Sequence, residues 1–280
     1  MDRMTTEHLP AAGDTTQWFP IDLLRHRPAA SGSDTGARGP DFALIVLNQP
    51  ITPYLGIIRG LWKNASIHIA ADGGANCLYE AAGIRNDPIF DNLGTIIGDL
   101  DSLTPEARSY FESTPHTPPT QVIHDPDQES TDFGKAINHI RAHHRHPPPD
   151  IVAVGGLGGR VDQGLSQLHH LYLYQTDPRY AAGRMYLFSG ESLTFLLKAG
   201  RHRIHVRDDG GDDVFAKHVG ILPVREPSVI TTRGLEWDVT GWETSFGGRL
   251  STSNHVLPET KAVEVETTRD VLFTIALRQV

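Results

Sequence analysis

The sequence predicts an α/β N-terminal domain with a mostly parallel sheet, followed by a C-terminal antiparallel β-sandwich domain. Two observations carry the first half of that expectation. Between Phe42 and about residue 183, short apolar runs alternate with segments of helical period, the pattern of strands joined by crossover helices. The runs are continuously apolar, as suits strands covered on both faces. A third observation bears on the second half: beyond about residue 183, short apolar stretches are separated by Gly, Pro and Asp, the cue for an antiparallel sheet or sandwich.

The arm over residues 1–40 is rich in Pro, Ala, Ser, Gly, Asp and Thr, a composition that offsets little of its ordering entropy and is expected to stay largely mobile. Within it, Trp18, Phe19, Ile21, Leu23 and Leu24 form an apolar patch expected to dock onto the body. Strands are expected at Ala43–Leu47, Ser66–Ala70, Thr95–Gly98, Gln121–His124 and Ile151–Val154. Helices are expected at Pro53–Lys63, Ala75–Ala82, Pro105–Glu112, Thr131–His143 and Val161–Tyr174, the last with Val161, Leu165, Leu168 and Tyr172 at helical spacing. Met185–Phe188, His202–Val206, Val219–Val224, Val229–Thr232 and Leu272–Leu277 read as the short antiparallel strands. The tract HHRHPPP from His143 reads as a helix end running into a stiff turn.

The chain has 280 residues, 39% of them hydrophobic, enough for one large domain or two modest ones. A formal charge of -9 argues against a nucleic-acid partner, which would need a basic surface. The single cysteine, Cys77, excludes an internal disulfide and a cysteine-built zinc site. Apolar runs are too short to span a bilayer and the first residues lack a basic, then apolar, leader. The expectation is a cytoplasmic protein with no membrane partner.

In an open parallel sheet, ligands bind beyond the carboxyl ends of the strands. Four of those ends are unusual: Ala71-Asp72-Gly73-Gly74, Gly98-Asp99-Leu100-Asp101, the acidic stretch His124 to Asp132, and Gly155-Gly156-Leu157-Gly158-Gly159-Arg160-Val161-Asp162-Gln163. Asp99 and Asp101 stand two apart, so persisting strand geometry would project both carboxylates to one side, where they share a cation. As helix caps they would be redundant, because Thr104-Pro105-Glu106 already starts the next helix. With Asp72 and Asp132 converging from neighbouring strand ends, the cluster calls for a divalent ion, and oxygen-only ligands point to Mg²⁺. Asp132 and Lys135 are spaced i, i+3, either a surface ion pair or, at a helix N-terminus, a phosphate contact. The glycine loop is either a tight turn or a close backbone approach to a ligand, followed by an arginine that forks onto phosphate oxygens. It is neither a Walker A loop nor a dinucleotide fingerprint. Trp237, taken alone, reads as a sheet-core aromatic, and Ser251 to Asn254 as a strand edge or turn.

Taken together, ADGGAN at Ala71, IGDLDS at Ile97, DQESTDFGKA at Asp127, GGLGGRVDQ at Gly155 and the later VGILPV, TTRGLEW and STSN segments resemble the thiamine pyrophosphokinase family, in order over roughly residues 42–278. The resemblance implies an α/β domain over 41–190 that binds ATP and Mg²⁺, a thiamine-binding β-sandwich over 191–280, and a homodimer with active sites between subunits. It implies that Asp72, Asp99, Asp101 and Asp132 gather Mg²⁺ and the ATP phosphates. Gln128, Lys135, Arg160, Asp162 and Gln163 then surround the phosphate chain and the thiamine hydroxyl, with Gly73, Gly74, Thr131, Gly156, Gly158 and Gly159 on the nucleotide-facing loops. Trp237, Ser253 and Asn254 would hold the thiamine rings. Cys77 stands where the family often has arginine, and Gly134 where threonine is common. The implied reaction is transfer of the ATP diphosphoryl group to the hydroxyl of thiamine, with Asp132 or Asp162 orienting that hydroxyl. A Mg²⁺-dependent phosphohydrolase would use the same aspartates and glycine loop without Trp237 and STSN, and a non-catalytic nucleotide-binding module would tolerate loss of one carboxylate.

Overall fold

The computed structural model describes residues 14–25, 41–85, 88–113, 118–143, 147–208 and 213–278. The remainder of the expected arm and the residues His144 to His146 of the histidine tract lie outside the described residues. The described chain opens with β1 (Thr16–Trp18) and a single turn, α1 (Ile21–Leu24). It divides into two compact units, Asp22–Thr194 and the residues from Phe195 onward together with the N-terminal stretch through Ile21.

The first unit runs β2 (Phe42–Val46), α2 (Leu55–Asn64), β3 (Ile67–Ala71), α3 (Gly74–Arg85), β4 (Thr95–Gly98), α4 (Pro105–Ser113), β5 (Gln121–His124), α5 (Asp132–His143), β6 (Asp150–Val154), α6 (Val161–Tyr174) and β7 (Met185–Phe188). The strands lie in the order β7-β6-β2-β3-β4-β5, and every neighbouring pair is parallel. All five residues of β2 and all four of β4 are buried, as continuous apolar runs require of central strands. Helix starts follow local chemistry. Thr104 Oγ1 accepts from the Ala107 N–H at 3.3 Å and Thr131 Oγ1 from the Gly134 N–H at 3.1 Å, side-chain caps for otherwise orphan donors.

One expectation changes. Met185–Phe188 is not antiparallel: β7 pairs parallel to β6, register Ile151 to Met185 through Val154 to Phe188, so α6 is a crossover helix and the α/β pattern runs one strand further than the composition shift suggested. The apolar stripe of α6 is unevenly covered, with Leu168 and Tyr172 half-buried. Val161 is 77% and Leu165 58% exposed, while Gln167, His170 and Leu171 form the buried side.

The second unit adds β8 (Ser192–Leu197), which straddles the division, then β9 (Gly200–His205), β10 (Phe215–Leu222), β11 (Ser228–Arg233), β12 (Trp242–Thr244), β13 (Ser251–His255), β14 (Ala262–Thr267) and β15 (Val271–Leu277). One sheet has the order β1-β9-β14-β11-β12, antiparallel except for β1 on β9. The other layer places β13, β10, β15 and β8 side by side, with β10 antiparallel to both β13 and β15. The layers meet at Trp18, whose ring centroid lies 4.6 Å from that of Phe195 and whose Nε1–H donates to His202 Nδ1 at 3.0 Å. Of the N-terminal apolar patch, Trp18, Ile21 and Leu23 are buried, while Phe19 remains 45% exposed and stacks on His205.

Candidate active site

The strand order reverses between β2 and β6: β3, β4 and β5 extend to one side of this pair and β7 to the other. Loops at such a switch point diverge and leave a crevice at the carboxyl ends of the strands. A cleft of about 580 Å³ lies there, lined by Asn48 and Gln49 after β2, Asp72 after β3, Asp99, Asp101 and Ser102 after β4, Ser130 to Asp132 before α5, and Gly155, Gly156, Arg160 and Gln163 after β6.

Asp72, Asp99 and Asp101 each bring an oxygen to within 4.8 Å of the others. Their meeting is not the strand alternation expected from spacing. β4 ends at Gly98, and Leu100 adopts φ 62°, a left-handed conformation that non-glycine residues rarely adopt and that is found at functional turns. The turn brings the Asp101 N–H to Asp99 Oδ1 at 3.3 Å. Asp72 is itself at φ 43° and only 4% exposed. The Ser102 N–H donates to its Oδ2 at 3.1 Å, but its Oδ1 is buried without a partner. Burial raises the Asp72 carboxyl above the ordinary carboxylate range, against the Ser102 hydrogen bonds, with Asp132 and Asp101 adding repulsion. Asp99 is held below that range, chiefly by the Asp101 backbone N–H. Gly98 permits the closure, because a Cβ there would stand 2.8 Å from Asp72 Cβ and 2.9 Å from Asp132 Oδ1.

Asp132 lines the same cleft but stands outside the three-carboxylate group. Its Oδ1 takes the Asp99 N–H at 3.3 Å and Lys135 Nζ at 3.2 Å. Lys135 is 3% exposed, so the i, i+3 pair is a buried ammonium held by the cleft-lining Asp132 and not a surface ion pair. Gln128 Nε2 reaches Asp99 Oδ2 at 3.4 Å. Thr131 Oγ1, having capped α5, lies in hydrogen-bond contact with His170 Nε2 at 2.8 Å, and His170 Nδ1–H donates to Ser166 O at 2.6 Å. Burial lowers the pKa of this imidazole. Gly134 leaves room for the neighbouring Tyr174: a Cβ would lie 3.0 Å from Tyr174 Oη.

Glycines hold the loops against one another. A Cβ on Gly74 would meet Val46 O at 2.1 Å, and one on Gly73 would meet the Asn48 amide at 2.4 Å. On the loop after β6, Gly158 and Gly159 have φ 143° and 62°, and a Gly156 Cβ would meet Gln167 Oε1 at 2.6 Å. Arg160 and Asp162, both largely exposed, form a two-point fork with Nε to Oδ1 3.1 Å and Nη2 to Oδ2 2.5 Å. Cys77 lies 4.0 Å from Asn48 Oδ1, and burial pushes its thiol up to about 11, so it stays protonated and inert.

Trp237, Ser253 and Asn254 belong to the second unit. Trp237 is 55% exposed, not the core aromatic its type suggested. Asn254 is 6% exposed: its Oδ1 accepts the Trp237 N–H at 3.1 Å and its Nδ2 donates to Trp237 O at 2.9 Å. Asn254 thus clamps the backbone of Trp237, while Ser253, the residue before it in β13, sits at φ 56°. Asn48, Gln49, Ser102, Gln167 and His170 were not singled out from sequence. Most of them lie where only strand order or a neighbouring helix reveals a cleft; Ser102, next to Asp101, had the one local signal.

The thiamin pyrophosphokinase catalytic-domain family matches residues 58–181, and the thiamin pyrophosphokinase vitamin B1 binding domain matches residues 201–272. Thiamine pyrophosphokinase 1 of Arabidopsis thaliana is 34% identical over 88% of this chain and 90% of its own length. Thiamine pyrophosphokinase 3 of Oryza sativa subsp. japonica is 32% identical over 86% and 88%. The fold matches that of thiamin pyrophosphokinase from Candida albicans with a TM-score of 0.76 at 24% identity, covering 98% of this chain and 97% of that one. On these matches the chain belongs to the thiamine pyrophosphokinase family.

Proposed function

We propose that this chain transfers the diphosphoryl group of ATP to the hydroxyl of thiamine, giving thiamine diphosphate and AMP, with Mg²⁺ at the carboxylate cluster. ATP-dependent diphosphoryl transfer to thiamine is the reaction of the family. The observation that carries the reading for this chain is the partnerless buried Oδ1 of Asp72 beside Asp99 and Asp101. A buried carboxylate oxygen without a donor is costly unless a cation meets it, and an all-oxygen donor set fits Mg²⁺.

Asp72, Asp99 and Asp101 would hold the ion, which supplies positive charge to the phosphate oxygens. The protein's own groups do the rest. Lys135 presents a buried ammonium and Arg160 a guanidinium to the phosphate chain, and the glycine loop lets backbone approach it closely. Asp132 is the group that orients the thiamine hydroxyl, because it lines the cleft while Asp162 is engaged by Arg160. Positioning and charge stabilisation suffice for this class of transfer, without a covalent nucleophile. Trp237, held by Asn254, stacks on a thiamine ring.

The active unit is a homodimer in which a second copy completes the thiamine site. The exposed Val161 and Leu165 on α6, next to Arg160, support this, since clustered exposed apolar side chains mark interfaces. A hydrolase with water as acceptor would have no use for the vitamin B1 binding domain matched at 201–272. Among the described residues no helix is long and apolar enough to cross a membrane. The test is incubation with ATP, Mg²⁺ and thiamine. AMP formed only when thiamine is present supports the reading; ADP or phosphate formed regardless of thiamine refutes it.

A further inference from the structure

Two carboxylates flank Trp237 in sequence, and they are held differently. Asp238 turns back on its own loop: Oδ2 accepts the Gly234 N–H at 2.9 Å, and Oδ1 accepts the Leu235 N–H at 3.1 Å and the Thr232 hydroxyl at 3.0 Å. Glu236 instead reaches across to β13, where its Oε2 lies 2.5 Å from His255 Nδ1. A carboxylate only accepts, so the ring donates. The Glu236 N–H donates in turn to His255 O at 2.8 Å. The His255 ring stands 5.0 Å from the Trp237 ring and 4.9 Å from that of His218 on β10. Elsewhere in this unit Asp213, Glu226, Glu264, Glu266 and Asp270 each pair with an arginine or a lysine. Glu236 pairs with an imidazole and, among the described residues, has no arginine or lysine within ion-pair reach. Its side chain is 43% exposed, beside the exposed Trp237.

Resting on the function proposed above, we infer that Glu236 is a specificity-determining residue for thiamine, its carboxylate selecting the positive charge of the thiazolium while Trp237 takes the face of the ring. An exposed cation–π contact alone changes affinity by only about twofold to fivefold. A neutral ring of the same shape stacks on an indole as well, so Trp237 separates the two weakly. A fixed negative charge separates them, because it attracts the cation and gives nothing to the neutral ring. A carboxylate already matched by a guanidinium or an ammonium has little attraction left to offer. In its neutral form the His255 ring orients the Glu236 carboxylate without cancelling its charge, and a carboxylate already fixed in place loses less freedom when the cation arrives.

The test measures KM at about pH 8, where an ordinary imidazole is neutral, for two acceptors. One is thiamine; the other is its isostere with the thiazolium nitrogen replaced by carbon, a neutral ring that keeps the hydroxyl. In Glu236→Gln, KM for thiamine is expected to rise about threefold to tenfold, while KM for the isostere and for ATP is unchanged. No rise for thiamine, or an equal rise for thiamine and isostere, overturns the assignment. Should Glu236→Gln fail to fold, calorimetric binding to the unaltered chain without nucleotide decides. Thiamine is expected to bind more tightly than the isostere there, and equal affinity overturns the assignment. If the unaltered chain releases AMP only with thiamine yet Glu236→Gln keeps its KM for thiamine, the charge selection alone fails. If the unaltered chain shows no thiamine-dependent AMP release, the proposed function fails and the charge selection with it.

Discussion

Ser102 donates its backbone N–H to Asp72 Oδ2 at 3.1 Å across thirty residues of chain, leaving Asp72 Oδ1 buried and partnerless. One oxygen of this carboxylate therefore holds the β4 loop in place while the other is buried without a donor. Burial, with Asp132 and Asp101 nearby, strains the ionised form of Asp72.

Asp72→Asn should remove that strain. A carboxyl whose folded-state pKa is raised opposes folding once the pH exceeds the unfolded value, and the opposition is relieved as pH falls through the raised value. Without Mg²⁺ the variant is expected to melt higher than the unaltered chain at neutral pH, and to lose most turnover, by about a hundredfold or more. Thermal melts with and without Mg²⁺–ATP, beside AMP release, check both halves. A variant that melts lower yet turns over normally contradicts the assignment.

Lys135 and Asp132 should be separable. Asp132→Ala strands a buried ammonium and is expected to cost about 1–3 kcal/mol, less than a fully buried pair because the carboxylate is a third exposed. Lys135→Met keeps the apolar stem and should leave stability closer to normal while turnover collapses. Denaturant unfolding of the two variants checks the ordering.

These side chains show how far the sequence could be read. The central parallel strands were legible because each holds an apolar run, and α5 because Thr131, Asp132 and its last-turn Arg141 and His143 are placed as helix ends require. Two short strands, Trp242–Thr244 and Ser251–His255, carry too little apolar pattern to stand out, and the second read equally well as a turn. The helix α6 was legible from its apolar spacing, but spacing alone does not say which of those residues the core covers, and Val161 and Leu165 are exposed. Asp99 and Asp101 were identified for the right chemistry but the wrong geometry: it is the left-handed turn at Leu100, not strand alternation, that joins them. Gln49 and Gln167 were out of reach, because nothing local marks a switch point.

Asn254 acts on thiamine through Trp237. Asn254→Ala removes two hydrogen bonds to the Trp237 backbone and should raise KM for thiamine with KM for ATP unchanged. Trp237→Ala should weaken thiamine by about 0.5–2 kcal/mol. Steady-state kinetics with each substrate varied in turn provide the check.

His170 should impose a stability slope in mild acid. Its pKa is lowered by burial, so the unfolded chain binds its proton first, and stability is lost as pH falls through the ordinary imidazole value of 6.5. His170→Asn should flatten the dependence of melting temperature on pH over that range.

The exposed apolar face of α6 predicts self-association. Leu165→Glu should sediment as a monomer and lose thiamine-dependent activity, while the isolated chain keeps its circular dichroism.

The most direct test of a divalent ion held by these carboxylates is a Mn²⁺ titration followed by electron paramagnetic resonance, with a non-hydrolysable ATP analogue, comparing the unaltered chain with Asp99→Asn and Asp101→Asn. The account predicts a site that tightens with nucleotide in the unaltered chain and is lost in both folded variants. Equal Mn²⁺ binding and normal turnover in all three proteins would contradict it.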